Sequence, residues 1–294
     1  MRFLTHSGVV LLAGLVGLIA GCGNLTCSQR KRESIQHMNQ GVESAVSQSY
    51  ATAQRELELA MTLDPENHRA AFQLGQVYLQ QKQWDKAVDV LTTAIKYQNG
   101  DPMYHYHLGH AYLEVDKVDL ARAELEKALE LNKRLYKAHY FLGQVHQRQD
   151  RPREAALSWT ESCRLNPGFG KSFYLLGALY YSWDYLQESV QVLVQGAQYA
   201  RDPGEQSNIY YQLGLAYDDL KQFDKAVDAY ANAIEAKKDN LEAKHGLGIA
   251  YAKKGDKAQA IKVLDEFTRM VGSDARYRNL VASAYDYLNK LRSE

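Results

Sequence analysis

The feature that most constrains this sequence is a Leu-Gly pair that returns at an almost fixed interval. The pair occurs six times, with separations of 34, 34, 34, 37 and 34 residues, at Leu74-Gly75, Leu108-Gly109, Leu142-Gly143, Leu176-Gly177, Leu213-Gly214 and Leu247-Gly248. A period of this length is typical of chains that stack one supersecondary unit many times. Because each unit then contacts only its neighbours, the 294 residues need not form one large core.

Small and large residues also recur at fixed positions within each interval. When each repeat is numbered from 1 to 34, position 8 is glycine, position 20 is small and position 24 is bulky, as in Gly143, Ala155 and Trp159. Glycine inside a helix costs about 1 kcal/mol relative to alanine, so its regular return needs a packing reason. We therefore predict two helices per repeat, A and B, that approach closely at position 8 while the residue at position 24 fills the space beside it.

The full pattern resembles the tetratricopeptide repeat: Leu-Gly-x-x-Tyr, then alanine, a bulky residue, alanine and proline. The resemblance implies an all-α fold, a right-handed α-α superhelix. Seven repeats are predicted within residues 34–274, namely 34–67, 68–101, 102–135, 136–169, 170–206, 207–240 and 241–274. Residues 275–294 carry an apolar helical stripe and are predicted to form a capping helix that covers the last open face.

The fifth repeat is three residues longer than the others. The extra residues lie within residues 201–205 and are predicted to lengthen a loop. We expect a mild bend there, separating a block of five repeats from a block of two.

Residues 1–21 have the pattern of an export signal. A positive charge at Arg2 precedes the apolar run Val9 to Ala20, which is too short to span a bilayer. The sequence Ile19-Ala20-Gly21-Cys22 resembles the bacterial lipoprotein box, which implies cleavage after Gly21 and lipidation of Cys22. Gly23 in place of aspartate then favours the outer membrane, facing the periplasm. The alternative is an ordinary secretory peptide with an incidental cysteine.

Residues 22–33 are polar and are predicted to form a lipidated tether, with the first helix beginning near Ser34. The basic run 30–32 could touch anionic headgroups or form a solvated linker. A disulfide between Cys27 and Cys163 would have to cross several helices and is not expected; Cys163 is predicted to be a small buried apolar residue.

Composition and motifs argue against several classes of function. Lys plus Arg and Asp plus Glu are both 35, so no basic footprint for nucleic acid is present. His105, His107, His110 and His139 suggest a metal site, but no carboxylate partner is evident, and a structural or surface role is favoured. Catalytic motifs are missing from the sequence, so we expect neither an enzyme, nor a bound cofactor, nor a metal.

The resemblance implies that positions 2, 5, 9 and 12 of each A helix line a concave groove. Position 5 is aromatic in most repeats, and flanking positions supply amides and bases. The predicted partner-binding residues are Phe72, Gln76, Tyr106, His110, Lys137, Tyr140, Gln144, Lys171, Tyr174, Tyr211 and His245. The alternative is that these rings only pack between adjacent A helices.

A repeat chain of this kind is predicted to bind a peptide or helix of another protein. With a lipobox followed by such repeats, the architecture is similar to the pilotin lipoproteins of type IV pilus assembly, which implies a secretin as partner and membrane attachment through the lipidated N-terminus. The alternatives are an adapter for peptidoglycan hydrolases or a periplasmic protease, and a lipoprotein of exopolysaccharide export.

Overall fold

The computed structural model describes residues 26–293, which fold into α-helices without a strand. The predicted all-α class is confirmed. The helices fall into two compact units that divide between Val115 and Asp116. The signal segment and the proposed lipidation site Cys22 lie outside the described residues.

The described part of the N-terminal unit, from residue 26 onward, contains five helices. They are α1 Cys27–Val46, α2 Tyr50–Leu63, α3 His68–Gln80, α4 Trp84–Tyr97 and α5 Pro102–Glu114. The A helix α3 contacts α1 before it and α5 after it. The helices of this unit enclose a core that includes Leu57 of α2, Leu74 of α3 and Leu91 of α4.

The C-terminal unit contains ten α-helices and one short 3₁₀ helix. They are α6 Val118–Leu131, α7 Tyr136–Arg148, α8 Pro152–Leu165, α9 Gly170–Ser182, α10 Leu186–Tyr199, α11 Pro203–Asp219, α12 Phe223–Ala236, α13 Leu241–Lys254, α14 Lys257–Val271, the 3₁₀ helix Ala275–Tyr277 and α15 Arg278–Ser293. The A helix α11 contacts α9 and α13, so successive A helices lie side by side. The last helix, α15, packs on α13 and α14 as the predicted cap.

Close approach of the paired helices is visible at the position 8 glycines. A Cβ atom added to Gly75 would lie 2.6 Å from Leu91, and one added to Gly143 would overlap the ring of Trp159. Gly177, Gly214 and Gly248 meet Leu193, Tyr230 and Leu264 in the same way. The predicted pairing of glycine with the bulky residue at position 24 is therefore confirmed in both units.

Each A helix ends in the same left-handed turn. The residue at position 15 has a positive φ in every repeat, at Gln48, Lys82, Asp116, Asp150, Asp184, Lys221 and Gly255. A residue in the left-handed conformation reverses the chain sharply. The amide N–H of the next residue can then donate to a carbonyl in the last turn of the helix, as Arg151 N does to His146 O at 2.8 Å. This turn fixes where helix B begins and hence which face of helix A stays uncovered.

The first helix begins seven residues earlier than predicted. Residues 27–33 are helical, so the tether predicted over residues 22–33 is wrong in its second half. Thr26 starts the helix with a capping box, because its hydroxyl accepts from Gln29 N while Gln29 Oε1 accepts from Thr26 N. The side chains of this first part are mostly exposed, so the sequence there shows no apolar period.

The extra residues near Pro203 do not lengthen a loop. They add one turn to the start of α11, which has 17 residues where α9 has 13. Asp202 caps this turn by accepting from Glu205 N at 2.9 Å, and Pro203 occupies the first position, where no amide donor is needed. The expected division into five and two repeats is also wrong, since the compact units divide at Val115 instead.

Candidate functional site

The candidate site is the face formed by positions 2, 5, 9 and 12 of the A helices, which we call the inner stripe. On an α-helix these positions point roughly 40–120° away from position 8, which faces helix B. The side chains of the inner stripe therefore stand beside the contact with helix B, with positions 2 and 9 turned furthest from it. The two compact units each carry a section of it.

In the N-terminal unit the stripe residues Phe72, Gln76 and Tyr106 pack against the rings of Tyr104 and His107, at positions 3 and 6 of the third repeat. Phe72 stacks on Tyr104 with centroids 4.5 Å apart, and the ring of His107 lies 5.3 Å from Phe72. Gln76 Nε2 is 3.3 Å from His107 Nε2. Tyr106 is only 5 % exposed and lies 4.4 Å from His107. The structure differs from the prediction at Tyr106, which faces its neighbours and not solvent.

The histidines of this unit have polar partners or ring contacts. His105 Nε2 donates to the carbonyl of Asn99 at 2.9 Å. His110 lies 3.8 Å from Glu114 and 6.0 Å from the ring of Trp84. Within residues 26–293, no group of three or more His, Cys, Asp or Glu side chains is arranged to hold a metal ion.

In the C-terminal unit the stripe keeps more of its surface open. Tyr140, Tyr174 and Tyr211 are half-buried, and Gln144 beside them is also half-buried. Tyr140 packs edge-on against Phe169 at 5.1 Å, and Tyr211 lies 6.0 Å from Tyr230. Burial raises the pKa of Tyr211, with smaller contributions from Glu242 and Tyr174. All three tyrosines are packed against the core and remain partly accessible.

Two lysines extend outward from the same stripe. Lys137 and Lys171, both at position 2, are exposed and lie 6.0 Å from the rings of Tyr136 and Phe169. Lysine stems can cover aromatic surface while the ammonium stays in water.

Polar contacts at positions 12 and 13 connect three successive A helices. Tyr181 in α9 donates to Asp219 Oδ2 of α11 at 2.5 Å, and Lys253 of α13 donates to Asp218 Oδ2 at 2.5 Å. Burial, and next the hydrogen bond to Asp219, raise the pKa of Tyr181 well above its usual range. The sequence prediction did not name these residues, although position 12 belongs to the same stripe. The sequence did contain a signal for this contact, because Asp219, near the end of α11, follows Tyr181, near the end of α9, by 38 residues.

His245 is the second predicted groove residue that the structure buries. It is 8 % exposed, its ring lies 5.3 Å from Phe267, and α15 packs on the helix that carries it. The ring of His245 is thus packed against α14, the helix B of its own repeat, while α15 packs on the same pair of helices. Its Nε2 has no hydrogen-bond partner, and burial lowers the pKa of His245 to about 4.

The buried imidazole predicts a pH dependence of stability. Because the pKa is lower in the folded state than the usual value of 6.5, the unfolded state binds more protons between these two values. The contribution of His245 to the free energy of unfolding is fully present above pH 6.5 and is lost as the pH falls toward 4. By pH 4.5 the loss is about 2–3 kcal/mol. Urea unfolding at pH 7.0 and 4.5 should show this loss, and His245→Leu should remove that part of it. An equal loss in the variant would contradict the assignment.

Two equivalent cavities lie in the C-terminal unit, but neither is lined by the predicted groove residues. One, of about 420 Å³, is lined by residues of α10, α11 and α12, including Tyr210, Leu213 and Tyr217. The other, of about 450 Å³, lies one repeat earlier, where Phe173, Leu176 and Tyr180 take the same positions. Cys163 borders it, is 8 % exposed and is a buried residue as predicted; burial raises its pKa to about 12.

No helix of residues 26–293 combines the length and the apolar character that crossing a membrane requires.

Comparison with protein families identifies the repeats. Two tetratricopeptide-repeat family models match residues 106–168 and 219–284. A third model, described as anaphase-promoting complex, cyclosome, subunit 3, matches residues 47–128. No curated protein sequence gives a significant match to this chain.

Solved structures share the fold at low sequence identity. PilF of Pseudomonas aeruginosa is 16 % identical, with 73 % of this chain and 96 % of that chain covered and a TM-score of 0.62. The C-terminal part of a TPR repeat-containing protein of Cytophaga hutchinsonii is 15 % identical, with coverages of 76 % and 88 % and a TM-score of 0.63. YrrB, described as a TPR protein with an unusual peptide-binding site, is 21 % identical, with coverages of 68 % and 99 % and a TM-score of 0.55.

At these identities the likeness concerns the fold alone. The family models identify tetratricopeptide repeats within residues 106–168 and 219–284, and glycine-centred helix pairs of the same kind occur in other repeats of the chain, for example at Gly75 and Gly177.

Proposed function

We propose that this protein is a lipid-anchored scaffold that holds a partner protein against its inner stripe. The observation that carries the proposal is the row of half-buried tyrosines, Tyr140, Tyr174 and Tyr211, on successive A helices of the C-terminal unit. Tyrosine offers a large contact area at low entropy cost and keeps a hydroxyl for hydrogen bonding. Because each ring is already packed against the core, little further ordering is needed when a partner binds.

The proposed setting is the periplasmic face of the outer membrane. The lipobox-like segment ending at Cys22 supports an acyl anchor, and more than one chain is needed for stable attachment. We take a secretin of type IV pilus assembly as the proposed partner, because a lipobox followed by repeats is also the architecture of the pilotin lipoproteins. The scaffold would then keep secretin subunits at the membrane while they assemble.

The test of the binding surface is the double variant Tyr140→Ala/Tyr174→Ala. Truncating an aromatic anchor at an interface costs about 2 kcal/mol or more, so partner capture should fall steeply. The matched control is Tyr185→Ala/Tyr199→Ala, which removes two exposed rings of the same unit that lie outside the stripe. Assembled secretin in the membrane fraction and partner recovered with the purified protein are the two readouts.

The expected result is loss of both readouts in the stripe variant, with unchanged helicity, and no loss in the control. Loss of helicity in the stripe variant would assign these rings to packing between A helices, the alternative considered from sequence. Equal effects of the two double variants would contradict the proposed surface.

The proposed anchor is tested separately at the cysteines. Cys22→Ser should abolish incorporation of labelled palmitate and release the protein from membranes, while Cys27→Ser should change neither. Labelling that persists without Cys22 would contradict the anchor and leave the binding surface unaffected.

A further inference from the structure

The inner stripe of the C-terminal unit changes charge along its length. Position 2 of its four successive A helices is Lys137, Lys171, Asn208 and Glu242. Asp218 and Asp219 add carboxylates at the end of α11, one helix before Glu242. The stripe is therefore basic on α7 and α9 and acidic on α11 and α13, with Tyr140, Tyr174 and Tyr211 along it.

The charges at both ends are poorly compensated. Among the residues that the structure describes, neither lysine forms an ion pair; Glu242 forms none either, although Arg276, which is itself paired with Asp274, lies within electrostatic range of it. The ammonium of Lys253 neutralises one of the two aspartates, so Asp218 and Asp219 together leave one net negative charge and Glu242 adds a second. Asp218 Oδ1 is buried and has no hydrogen-bond partner, while its Oδ2 is held by Lys253.

The two ends are far enough apart to act separately. Three steps between adjacent A helices at 8–10 Å each give roughly 25–30 Å. This distance is about three Debye lengths at physiological ionic strength. It is also the reach of about eight or nine extended residues. A bound segment of that length would meet opposite potentials at its two ends, and complementary charges fix orientation and register more than they raise affinity.

We propose that the segment bound by this stripe is itself bipolar: acidic residues lie opposite Lys137 and Lys171, and basic residues lie opposite Asp219, the exposed aspartate at the end of α11, and Glu242. This inference rests on the proposed function of the stripe as the binding surface, and adds the charge pattern of the partner. Like charges would meet if such a segment were reversed, so the stripe selects one orientation.

The probes are two synthetic peptides of twelve residues with the same composition. In one, acidic residues occupy one end, apolar residues the centre and basic residues the other end; in the second, acidic and basic residues alternate. Binding of labelled peptide to the full protein is measured by fluorescence anisotropy at 50 mM and 500 mM salt. We expect the bipolar peptide to bind about tenfold more tightly at low salt, with the difference lost at high salt because of screening.

Reversing one end of the stripe provides a second measurement. Lys137→Glu/Lys171→Glu makes the stripe acidic throughout, so the advantage of the bipolar peptide should disappear. The matched control is Lys238→Glu/Lys262→Glu, which changes the net charge equally at two exposed lysines outside the stripe. It should leave the preference intact.

The outcomes separate this inference from the proposed function. In one outcome, the two peptides bind equally well, and Tyr140→Ala/Tyr174→Ala abolishes the binding of both. That outcome would overturn the proposed charge pattern of the partner and support the stripe as the binding surface. Binding of neither peptide, or binding that survives loss of both tyrosines, would overturn the two together.

Discussion

Replacing Trp159 by alanine is expected to lower the free energy of unfolding by about 3–5 kcal/mol, the range for loss of a buried aromatic side chain. Trp159 is fully buried in the core that α8 shares with α9, beside Phe173 and Leu176. Its indole N–H donates to the carbonyl of Tyr140 at 3.1 Å. The substitution removes this contact and leaves a cavity beside Gly143 that the helices cannot close without moving.

Urea unfolding followed by far-UV circular dichroism measures the loss. The shift of the unfolding midpoint is compared between variants, because a chain with two compact units need not unfold in one step. Leu157→Ala is the control, since Leu157 lies on the same helix and is 72 % exposed; it should change stability by no more than about 0.5 kcal/mol. A loss below about 1 kcal/mol for Trp159→Ala would contradict the packing described.

The double variant Gly143→Ala/Gly214→Ala should destabilise the protein, against the usual preference for alanine in helices. At an open position in a helix, alanine stabilises the helix by about 1 kcal/mol relative to glycine. Here each added methyl group would overlap a ring, Trp159 in one repeat and Tyr230 in the other. Overpacking a core costs typically 1–3 kcal/mol, and an indole or phenol ring cannot move aside without disturbing its own packing. The two sites share no contact, so a sum of about 2–6 kcal/mol is expected.

Two other glycines give the comparison. Gly75→Ala should cost less, because it meets the end of the leucine side chain Leu91, which has more rotamers than a ring. Gly100→Ala should be nearly neutral, since no atom lies within 4 Å of its added methyl group. The same unfolding measurement applies. Stabilisation of the protein by Gly143→Ala would contradict the close approach of α7 and α8.

The sequence could predict the helix pairs because their determinants lie within one period. The glycine at position 8 and the bulky residue at position 24 are 16 residues apart, and the structure brings them into contact within each unit, as at Gly75 with Leu91 and Gly143 with Trp159. Periodicity of apolar residues also predicted the cap, where Ala284, Leu288 and Leu291 are buried in α15. These features follow from local spacing alone.

The starts of α1 and α11 could not be predicted from periodicity. Residues 27–33 are helical while mostly exposed, so their helix depends on the capping box at Thr26 and not on an apolar stripe. Pro203 follows a capping aspartate and begins a helix, although the surrounding sequence is also typical of a loop. The hydrogen bonds of the capping residues decide whether such a segment is a helix or a loop, and the repeat pattern carries no information on these hydrogen bonds.

The exposure of the inner stripe depends on what covers it, which the sequence of one repeat does not contain. His245 and Tyr174 have the same position in their repeats, yet His245 is buried against Phe267 of α14 and Tyr174 stays half-exposed. The contact of Tyr181 with Asp219 also joins residues 38 positions apart in different repeats. Such contacts require the three-dimensional arrangement of neighbouring A helices.

The most direct measurement of the central claim is site-specific photocrosslinking in cells, with the reactive amino acid placed at Tyr174 or, for comparison, at the exposed Leu157 on helix B. We expect a partner protein to be captured from position 174 and not from position 157, and we expect Tyr140→Ala to reduce the capture. Capture from position 157 alone would place the binding surface on the opposite side of the repeats and contradict the account.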